Sequence, residues 1–382
     1  MRKIKIAIAP ALAAGLLAAG AAAAHATPVN TRYVSPSGHS GAVDTSCATA
    51  GYSSINAAIA ASSRGGTVVA CPGTYRAEVV IGKPLNLIGR RGAVIDAAGQ
   101  ARLDVGGKLP GSIGIGVLGT SDVRVSGFKV EDAGFDAILV ASSSHVSVSG
   151  NLLLHNGDVG VNLNGASWSV VTGNTSEYNT GGGFLIADDN GRTSHNVVSL
   201  NVASHNAGGC GVIVAGHGTA GVTDNVIAGN LLTYNGTLPS SSGAGVVIAT
   251  EVPGETVAGN TVTGNTIYGN GLAGVTIHAH LPGQDLNGNS ITGNTIGVND
   301  TLGDRIGLAA SPSSTKNVAV PDTRTTGILV GAASPIQVRI SGNSIDGDQY
   351  GIFLEGVGAA VRASLQGNRY HQVETPVKRV GG

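Results

Sequence analysis

Pairs of asparagines five positions apart recur along the chain, and this spacing constrains the fold more than any other feature. The interval between successive pairs varies from 23 residues (Asn151 to Asn174) to 49 residues (Asn294 to Asn343). A constant spacing that recurs at variable intervals indicates a repeat architecture with insertions between fixed structural points. The pairs are Asn151/Asn156, Asn174/Asn179, Asn201/Asn206, Asn230/Asn235, Asn265/Asn270 and Asn294/Asn299, with Asn343/Asp348 as a variant.

Short apolar segments lie between the pairs. They are too short for helices, and they are bounded by Gly and Asn, which tolerate the left-handed backbone angles of tight turns. A strand this brief cannot bury its apolar side chains alone, so each coil must stack on the next, as in a parallel β-helix. The segments are "GVNLNG" from 160, "GFLIAD" from 183, "GVIVAG" from 211, "GVVIAT" from 245, "GVTIHA" from 274, "GILVGA" from 327 and "GIFLEG" from 351.

The paired asparagines are expected to be structural. Stacked at the same turn of successive coils, their amides can hydrogen-bond along the axis as a ladder. The composition agrees, since 61 Gly with only 1 Trp, 4 Phe and 8 Tyr among 382 residues require a core of small and β-branched side chains. With 22 basic and 23 acidic residues, the chain has no charge excess to attract nucleic acid.

The first residues are typical of an export signal. "MRKIK" is basic, an Ala/Leu-rich run follows, and "AHA" places small residues at a cleavage position near Ala26. We therefore expect residues 1–26 to be a signal peptide and the mature chain to be secreted, with no membrane span. An uncleaved membrane anchor is the alternative.

The three cysteines follow from this expectation. Export places the chain in an oxidising compartment, where Cys47 and Cys71, which flank one predicted helix, are the expected disulfide partners. Cys210 is left unpaired just before an apolar strand, so we expect a buried, unreactive thiol.

Three Asn-rich turns and an N-terminal segment carry a family resemblance. The turns are "GNTSEYN", "GNLLTYN" and "GNTIYGN", and the segment is "YSSINAAIAASSRGGTVVACPGTYRAEVVIGKPLNLIG" at 52–89. They resemble the pectate-lyase-like superfamily, including NosD-like repeat proteins. The resemblance covers nearly all of 31–370 and implies an all-β fold, a single-stranded right-handed parallel β-helix with a short N-terminal capping helix.

This resemblance suggests a division of the chain into three parts. After the signal peptide, we expect an N-terminal cap with the first coils at 27–110 and the β-helix body at 111–382, with a long insertion at 300–326. The charged insertion is either a lid or groove wall or a surface loop. The fold serves hydrolases, lyases, epimerases and binding proteins, so function must be argued from a site.

Four successive coils carry a titratable residue at one place in the repeat. The same four coils have the longest loops before the next asparagine pair. Because stacked strands lie about 4.8 Å apart, these side chains should form one line beside a loop-walled groove. Six positions after the leading glycine of each strand, with Ala137 replacing the first, the column reads Ser143, Ala166, Asp189, His217, Glu251, His280, Ala333 and Val357.

Acids alternating with imidazoles along this line suit acid/base catalysis, because a carboxylate can orient each imidazole. Neighbouring polar residues extend the line, and Arg192 in the adjoining loop is a candidate partner for a substrate carboxylate. The predicted catalytic residues are Asp188, Asp189, His217, Glu251 and His280. The predicted substrate-binding residues are Asn162, Asn164, Arg192 and His278.

A long loop-walled groove suits an extended chain, and the family resemblance implies a polysaccharide or oligosaccharide. Asp189 and Glu251, two rungs apart, fit an inverting glycosidase, whereas His217 or His280 is a candidate base for β-elimination or C5-epimerisation. "GFLIAD" also resembles mannuronan C5-epimerases, which place an acid after a "GF" strand, over this one coil. The alternative is a non-catalytic surface β-helix that binds a metal or a glycan.

Two alternatives remain open for cofactors: the protein requires none, or it binds a divalent metal. Histidine and carboxylate ligands suit zinc or copper, for which Glu251, His278 and His280 are the candidates. Asp188 and Asp189 are candidates for calcium, which prefers oxygen ligands.

Overall fold

The computed structural model describes residues 31–38, 44–100, 111–206, 208–238, 243–302, 307–309, 317–319, 325–356 and 361–381. The predicted signal peptide at 1–26, its cleavage position near Ala26 and the expected boundary at 110 lie outside these residues. So does most of the 300–326 insertion. No helix among the described residues is long and apolar enough to cross a membrane.

Three long parallel sheets, here called A, B and C, build the protein, and each coil adds one strand to each sheet. Sheet A contains Thr31–Val34, Gly66–Ala70, Leu85–Gly89, Val123–Ser126, Ser147–Ser149, Val170–Thr172, Val197–Ser199, Val226–Ala228, Thr261–Thr263, Ser290–Thr292, Ile336–Ser341 and Val361–Gln366. Sheet B contains Gly73–Arg76, Ala93–Asp96, Lys129–Glu131, Leu152–Leu154, Thr175–Glu177, Val202–Ser204, Leu231–Thr233, Thr266–Tyr268, Thr295–Ile296, Ser344–Asp346 and Arg369–His371. Sheet C contains Val79–Ile81, Ile115–Leu118, Ile138–Ala141, Val159–Asn164, Gly182–Ala187, Val212–Gly216, Val246–Thr250, Val275–Ala279, Thr326–Ala332, Tyr350–Gly356 and Thr375–Val380. The fold is therefore the predicted right-handed parallel β-helix.

The core is a stack of aliphatic side chains inside the coils. Alternate residues of each strand point inward, so one inner column runs through sheet C from coil to coil. Its members are buried, and six of the eight are β-branched, as the composition predicts. The column is Val140, Leu163, Ile186, Val214, Ile248, Ile277, Val330 and Leu354.

The paired asparagines form two buried ladders, as predicted. In the first, Asn151 Nδ2 donates to Asn174 Oδ1 at 2.9 Å, and the contact repeats in each coil to Asn368. The second runs from Asn156 to Asn299 and ends where Asp348 Oδ1 accepts the backbone N–H of Asn299. Each amide also pairs with backbone groups, which satisfies the polar atoms of the turn.

A third ladder of the same kind connects sheets C and A. It runs through Asn196, Asn225, Asn260 and Asn289, whose amides bond along the axis at 2.9 to 3.2 Å. Each of these residues lies five positions before a first-ladder asparagine, so its spacing is also present in the sequence.

The N-terminal end of the β-helix is closed by the predicted helix, Ile55–Ala61, which follows a 3₁₀ turn at Cys47–Thr49. Ser54 caps the helix by accepting the backbone N–H of Ala57, and Ile55 and Ile59 are buried against the first coils. Cys47 and Cys71 form the predicted disulfide. Cys210 is a buried free thiol, as predicted, and its Sγ accepts the N–H of Ala244.

The long loops after sheet C have structure of their own. Three of them pair as a short parallel sheet, here called D, made of Thr193–Ser194, Val222–Thr223 and Val257–Ala258. In the 300–326 insertion, Gly307–Ala309 and Asn317–Ala319 pair as antiparallel strands. Sheet D holds the loops that carry the predicted site residues in fixed register with one another.

Candidate active site

The predicted line of titratable residues has the register that stacking requires. In sheet C, Ala187 pairs with Ala215, Ala215 with Ala249, and Ala249 with His278. These residues face outward, because side chains alternate along a strand and Ile186, directly before Ala187, packs in the core. Two residues further along each coil lie Asp189, His217, Glu251 and His280.

Asp189 and His217 are in direct contact. Asp189 Oδ2 lies 3.1 Å from His217 Nδ1 and accepts a hydrogen bond from Asn164 Nδ2 at 2.7 Å. Asn164 is itself fixed, since its Oδ1 accepts the backbone N–H of Asn190 at 2.7 Å. The Asp189 side chain is 48% exposed and that of His217 is 30% exposed, so both can meet a ligand from solvent.

This contact changes the pKa of both partners. The hydrogen bond from His217 holds the pKa of Asp189 below its ordinary value. In the other direction, the hydrogen bond to Asp189 raises the pKa of His217, and the negative charge of Glu251 adds to the effect. The pair therefore favours its charged form.

Asp188 has a different role from the predicted catalytic one. Its carboxylate is buried and accepts three backbone hydrogen bonds, from His217 and Gly218 at Oδ1 (2.8 and 2.9 Å) and from Gly221 at Oδ2 (2.7 Å). Both oxygens are thus engaged, and the group fixes the loop that presents His217.

Glu255 does the same in the next coil. This carboxylate is buried, and its Oε2 accepts the backbone N–H groups of Glu251 and Val252. Burial raises the pKa of Glu255. Glu251 is thereby held at its predicted position, and its own side chain is exposed.

His278 and His280 contact each other. His278 Nδ1 lies 2.7 Å from His280 Nε2, and the His278 side chain is buried. Burial lowers the pKa of His278 well below its ordinary value, so this imidazole is neutral. The expectation of a substrate-binding His278 on the outer surface is corrected accordingly, because its ring is covered and bonded to its neighbour.

Arg192 does not point toward Asp189. Its Nη2 donates to Thr223 Oγ1 at 2.8 Å and lies 3.8 Å from Asp224 Oδ2. The predicted carboxylate-binding residue therefore links two neighbouring loops.

Two carboxyl groups that the sequence reasoning missed lie beside the pair. Asp136 is fully buried, and its Oδ2 accepts a hydrogen bond from Asn162 Nδ2 at 3.0 Å. Burial, reinforced by the charge of Asp158, raises the pKa of Asp136 well above its ordinary value. The Oδ1 atoms of Asp136 and Asn162 are buried with no hydrogen-bond partner among the described residues. Asn162, predicted to bind substrate, is thus a buried partner of Asp136.

Asp158 is partly exposed, and burial raises its pKa, while the charge of His217 lowers it. A Cβ on Gly181 would lie 1.8 Å from Asp158 Oδ1, so only glycine leaves room for this carboxyl group. Asp136 and Asp158 both precede their sheet C strands, whereas the predicted line follows them. The sequence feature that could have identified them is a polar residue just before a strand, as in "GD" at 157–158.

The proposed metal ligands do not converge. Among the described residues, no three His, Cys, Asp or Glu side chains form a group that could hold a metal ion. The zinc or copper hypothesis requires a group of three ligands, and Glu251, His278 and His280 do not form one. For the calcium hypothesis, both oxygens of Asp188 accept backbone N–H groups, and calcium binding stays a prediction.

Comparison with known proteins places the fold. Residues 108–252 match the family model described as a right-handed beta helix region, and no curated protein matches the sequence. The chain therefore has the right-handed parallel β-helix fold that the sequence resemblance implied.

Three solved structures illustrate the likeness. The A-module of the mannuronan C-5 epimerase AlgE6 from Azotobacter vinelandii is 20% identical, with a TM-score of 0.62 over 86% of this chain and 91% of that chain. Pectate lyase Pel9A is 16% identical, with a TM-score of 0.51 over 89% and 78%. The catalytic unit of a GH87 alpha-1,3-glucanase from Streptomyces thermodiastaticus strain HF3-3 is 15% identical, with a TM-score of 0.51 over 82% and 65%. Identities this low show a shared fold.

Proposed function

We propose that the protein is a secreted carbohydrate-active enzyme that cleaves or rearranges a polysaccharide by acid/base chemistry on the outer face of sheet C. The observation that carries the proposal is the solvent-accessible Asp189–His217 contact, which lies beside carboxyl groups whose pKa is raised. The solved structures of similar fold include an epimerase, a lyase and a glucanase that act on polysaccharides, which supports the substrate class.

His217 is the base in this proposal. In its neutral form, Nδ1–H donates to Asp189 Oδ2, which leaves Nε2 to accept a proton from substrate or water. Asp189 orients the ring and stabilises the imidazolium that forms, while Asn164 and Asp188 fix the two partners.

Asp158 is the acid. A carboxyl group with a raised pKa retains its proton closer to neutral pH than an ordinary aspartate, so it can donate to a leaving group or a carbanion. The charge of Asp158 in turn adds to burial in raising the pKa of Asp136. A base and an acid serve glycoside hydrolysis, β-elimination and C5-epimerisation alike.

The test is a set of polyuronates and neutral glucans, read for unsaturated product by ultraviolet absorbance, for reducing ends and for epimerised residues by NMR. We expect His217→Ala to reduce kcat about 10²- to 10⁴-fold on the substrate found. The matched control is His371→Ala, because His371 Nδ1 also lies 3.1 Å from a carboxylate oxygen, that of Asp346, but on sheet B of the last coil. Unchanged turnover in His217→Ala, or equal loss in both variants, would contradict the assignment.

A further inference from the structure

A polar trough extends from the Asp189–His217 site toward the N-terminal end of the β-helix. It is a cleft of about 580 Å³ at the corner where the chain leaves sheet C. Most of its lining residues are small or carry hydroxyl groups. They are Arg64, Gly82, Gly119, Thr120, Ser121, Ser142, Ser143, Ser144, Gly165, Ser167 and Asn190.

The trough adjoins the site at Asn190. Asn190 lines it and directly follows Asp189, and its backbone N–H donates to Asn164 Oδ1, whose amide also holds Asp189. Ser142 Oγ, two coils away, donates to the carbonyl oxygen of Asn190 at 3.2 Å, and a Cβ on Gly165 in the coil between would lie 2.5 Å from the same oxygen. Asn190 therefore lies over the coil between and forms the boundary that the trough shares with the site.

The floor is open at two of its glycines, Gly82 and Gly119. A Cβ on Gly82 or Gly119 would have no heavy atom within 4 Å, so the space above each is empty. Apart from Arg64, the lining residues follow five successive sheet C strands, from Val79–Ile81 to Gly182–Ala187. At about 4.8 Å per coil, the trough is roughly 19 Å long, which accommodates several sugar residues.

The charge of the lining defines the ligand. Hydroxyl and amide groups suit sugar hydroxyls, and the only charged group among the described lining residues is Arg64, at the far end. Arg64 is exposed and forms no salt bridge with a carboxylate in the part of the chain that the structure describes. Asp122, which directly follows the lining residue Ser121, lies outside the lining and accepts the Ser121 hydroxyl at 2.7 Å. A guanidinium at the end of a hydroxyl-lined trough matches a carboxylate or sulfate group on a sugar.

We propose that this trough binds several residues of an anionic polysaccharide, with Arg64 as the specificity-determining contact to a carboxylate or sulfate. The proposal rests on the proposed function only in assuming that the bound chain passes Asp189. It makes the trough a remote binding region whose contacts are separate from the reacting groups.

Binding can be measured directly, because the chain contains one tryptophan. Trp168 follows the lining residue Ser167, is 57% exposed and stacks on His195 at 4.2 Å, so its fluorescence should respond to an occupied trough. The probes are oligogalacturonate, a sulfated galactan oligosaccharide and a neutral β-glucan oligosaccharide, with calorimetry as the second readout. We expect one anionic probe to bind more tightly than the neutral one, with an affinity that decreases as salt increases.

Two variants test the contacts. Arg64→Ala should weaken binding of the anionic probe about 10- to 100-fold, while Arg369→Ala, an exposed arginine on the last coil, should leave it unchanged. Gly82→Phe should block the trough without strain, because the backbone of Gly82 is outside the left-handed region. Tighter binding of the neutral probe, or unchanged affinity in both Arg64→Ala and Gly82→Phe, would overturn the proposal.

The two proposals fail differently. Arg64-dependent binding without turnover of any substrate would support the trough and contradict the catalytic role. Turnover that requires His217 with no effect of Arg64→Ala or Gly82→Phe on binding would support the catalytic role and overturn the trough.

Discussion

At the scale of residues, the Asp189–His217 hydrogen bond sets the charge state of the site. It raises the pKa of His217, so the imidazole becomes a neutral base only as pH rises through that raised value. Its stabilising effect on the fold has the matching sign. The contribution is fully present below the ordinary pKa of histidine and is lost as pH rises through the folded pKa.

Asp189→Asn should therefore move the pH dependence of activity. Without the carboxylate, the pKa of His217 falls, and the acidic limb of the kcat/KM profile should shift to lower pH. We also expect kcat to decrease about 10²- to 10⁴-fold, since the ring loses its orienting acceptor. Asp346→Asn, which breaks the comparable pair with His371, is the control. An acidic limb at its original pH would argue against Asp189 as the partner.

Asp348 should make the stability of the fold decrease from acidic pH up to about pH 8. It occupies an asparagine position of the second ladder, and burial raises its pKa to about 8. The folded state thus retains a proton that the unfolded state releases, so stability decreases as pH rises between the ordinary carboxyl pKa and about 8.

Asp348→Asn should remove this dependence, because an amide satisfies the position without ionising. We expect the variant to be more stable than the parent at pH values above about 8 by roughly 1–3 kcal/mol, the cost of an unsatisfied buried polar group. At acidic pH the two proteins should unfold alike. Thermal unfolding across this range is the measurement, and parallel curves for the two proteins would contradict the role.

At the scale of elements, the asparagine ladders join one coil to the next. Asn206 Oδ1 accepts the backbone N–H and the Nδ2 of Asn179, and its own Nδ2 donates to Asn235 and to the carbonyl of Ser176. One side chain therefore bonds to the coil on either side of its own and links three successive coils.

Asn206→Ala should be strongly destabilising. It leaves several buried groups unsatisfied, so we expect a loss of about 3 kcal/mol or more in the free energy of unfolding. Asn368→Ala is the matched control, because Asn368 ends the first ladder, is less buried and has fewer ladder contacts. Denaturant unfolding of the two variants should separate them, and similar losses would show that the ladder position does not matter.

The fold and the line of site residues could be predicted because both depend on spacing. Paired asparagines fix where each coil turns, so counting from the strand glycine gives the observed register of Asp189 and His217. The third ladder has the same five-residue spacing, so the sequence could also have predicted it.

The roles around the site could not be predicted, because they depend on how loops fold against one another. Asp188 and Asp189 are adjacent in sequence, yet one anchors a loop and the other faces solvent. Arg192 turns away because Asp224 and Thr223 lie in the next loop. Asp136 and Asp158 precede their sheet C strands, whereas Asp189 and His217 follow theirs. Counting residues after each strand therefore does not find these two carboxyl groups.

At the scale of the whole molecule, the protein is a stack in which each coil mainly contacts its two neighbours. The N-terminal coils lie under the helix Ile55–Ala61. In the last coil, by contrast, inward-facing Val361, Leu365 and Val377 are only partly buried. Stability should therefore differ between the two ends.

Hydrogen exchange should show this difference. We expect the hydrogen-bonded amides of Val361–Gln366 to exchange faster than those of Val226–Ala228 in the middle of sheet A. Thr31–Val34, the opposite edge strand of the same sheet, is the control, because the helix packs against it. Equal protection of the two edge strands would contradict an uneven stack.

The hydrogen bonds that Asp188 accepts from His217, Gly218 and Gly221 tie His217 to the coil before its own. Two consecutive coils are therefore needed to hold this histidine in place. Anyone grafting this site into another β-helix would have to transplant both together, since a donor coil moved alone would arrive without the anchor that aims its imidazole.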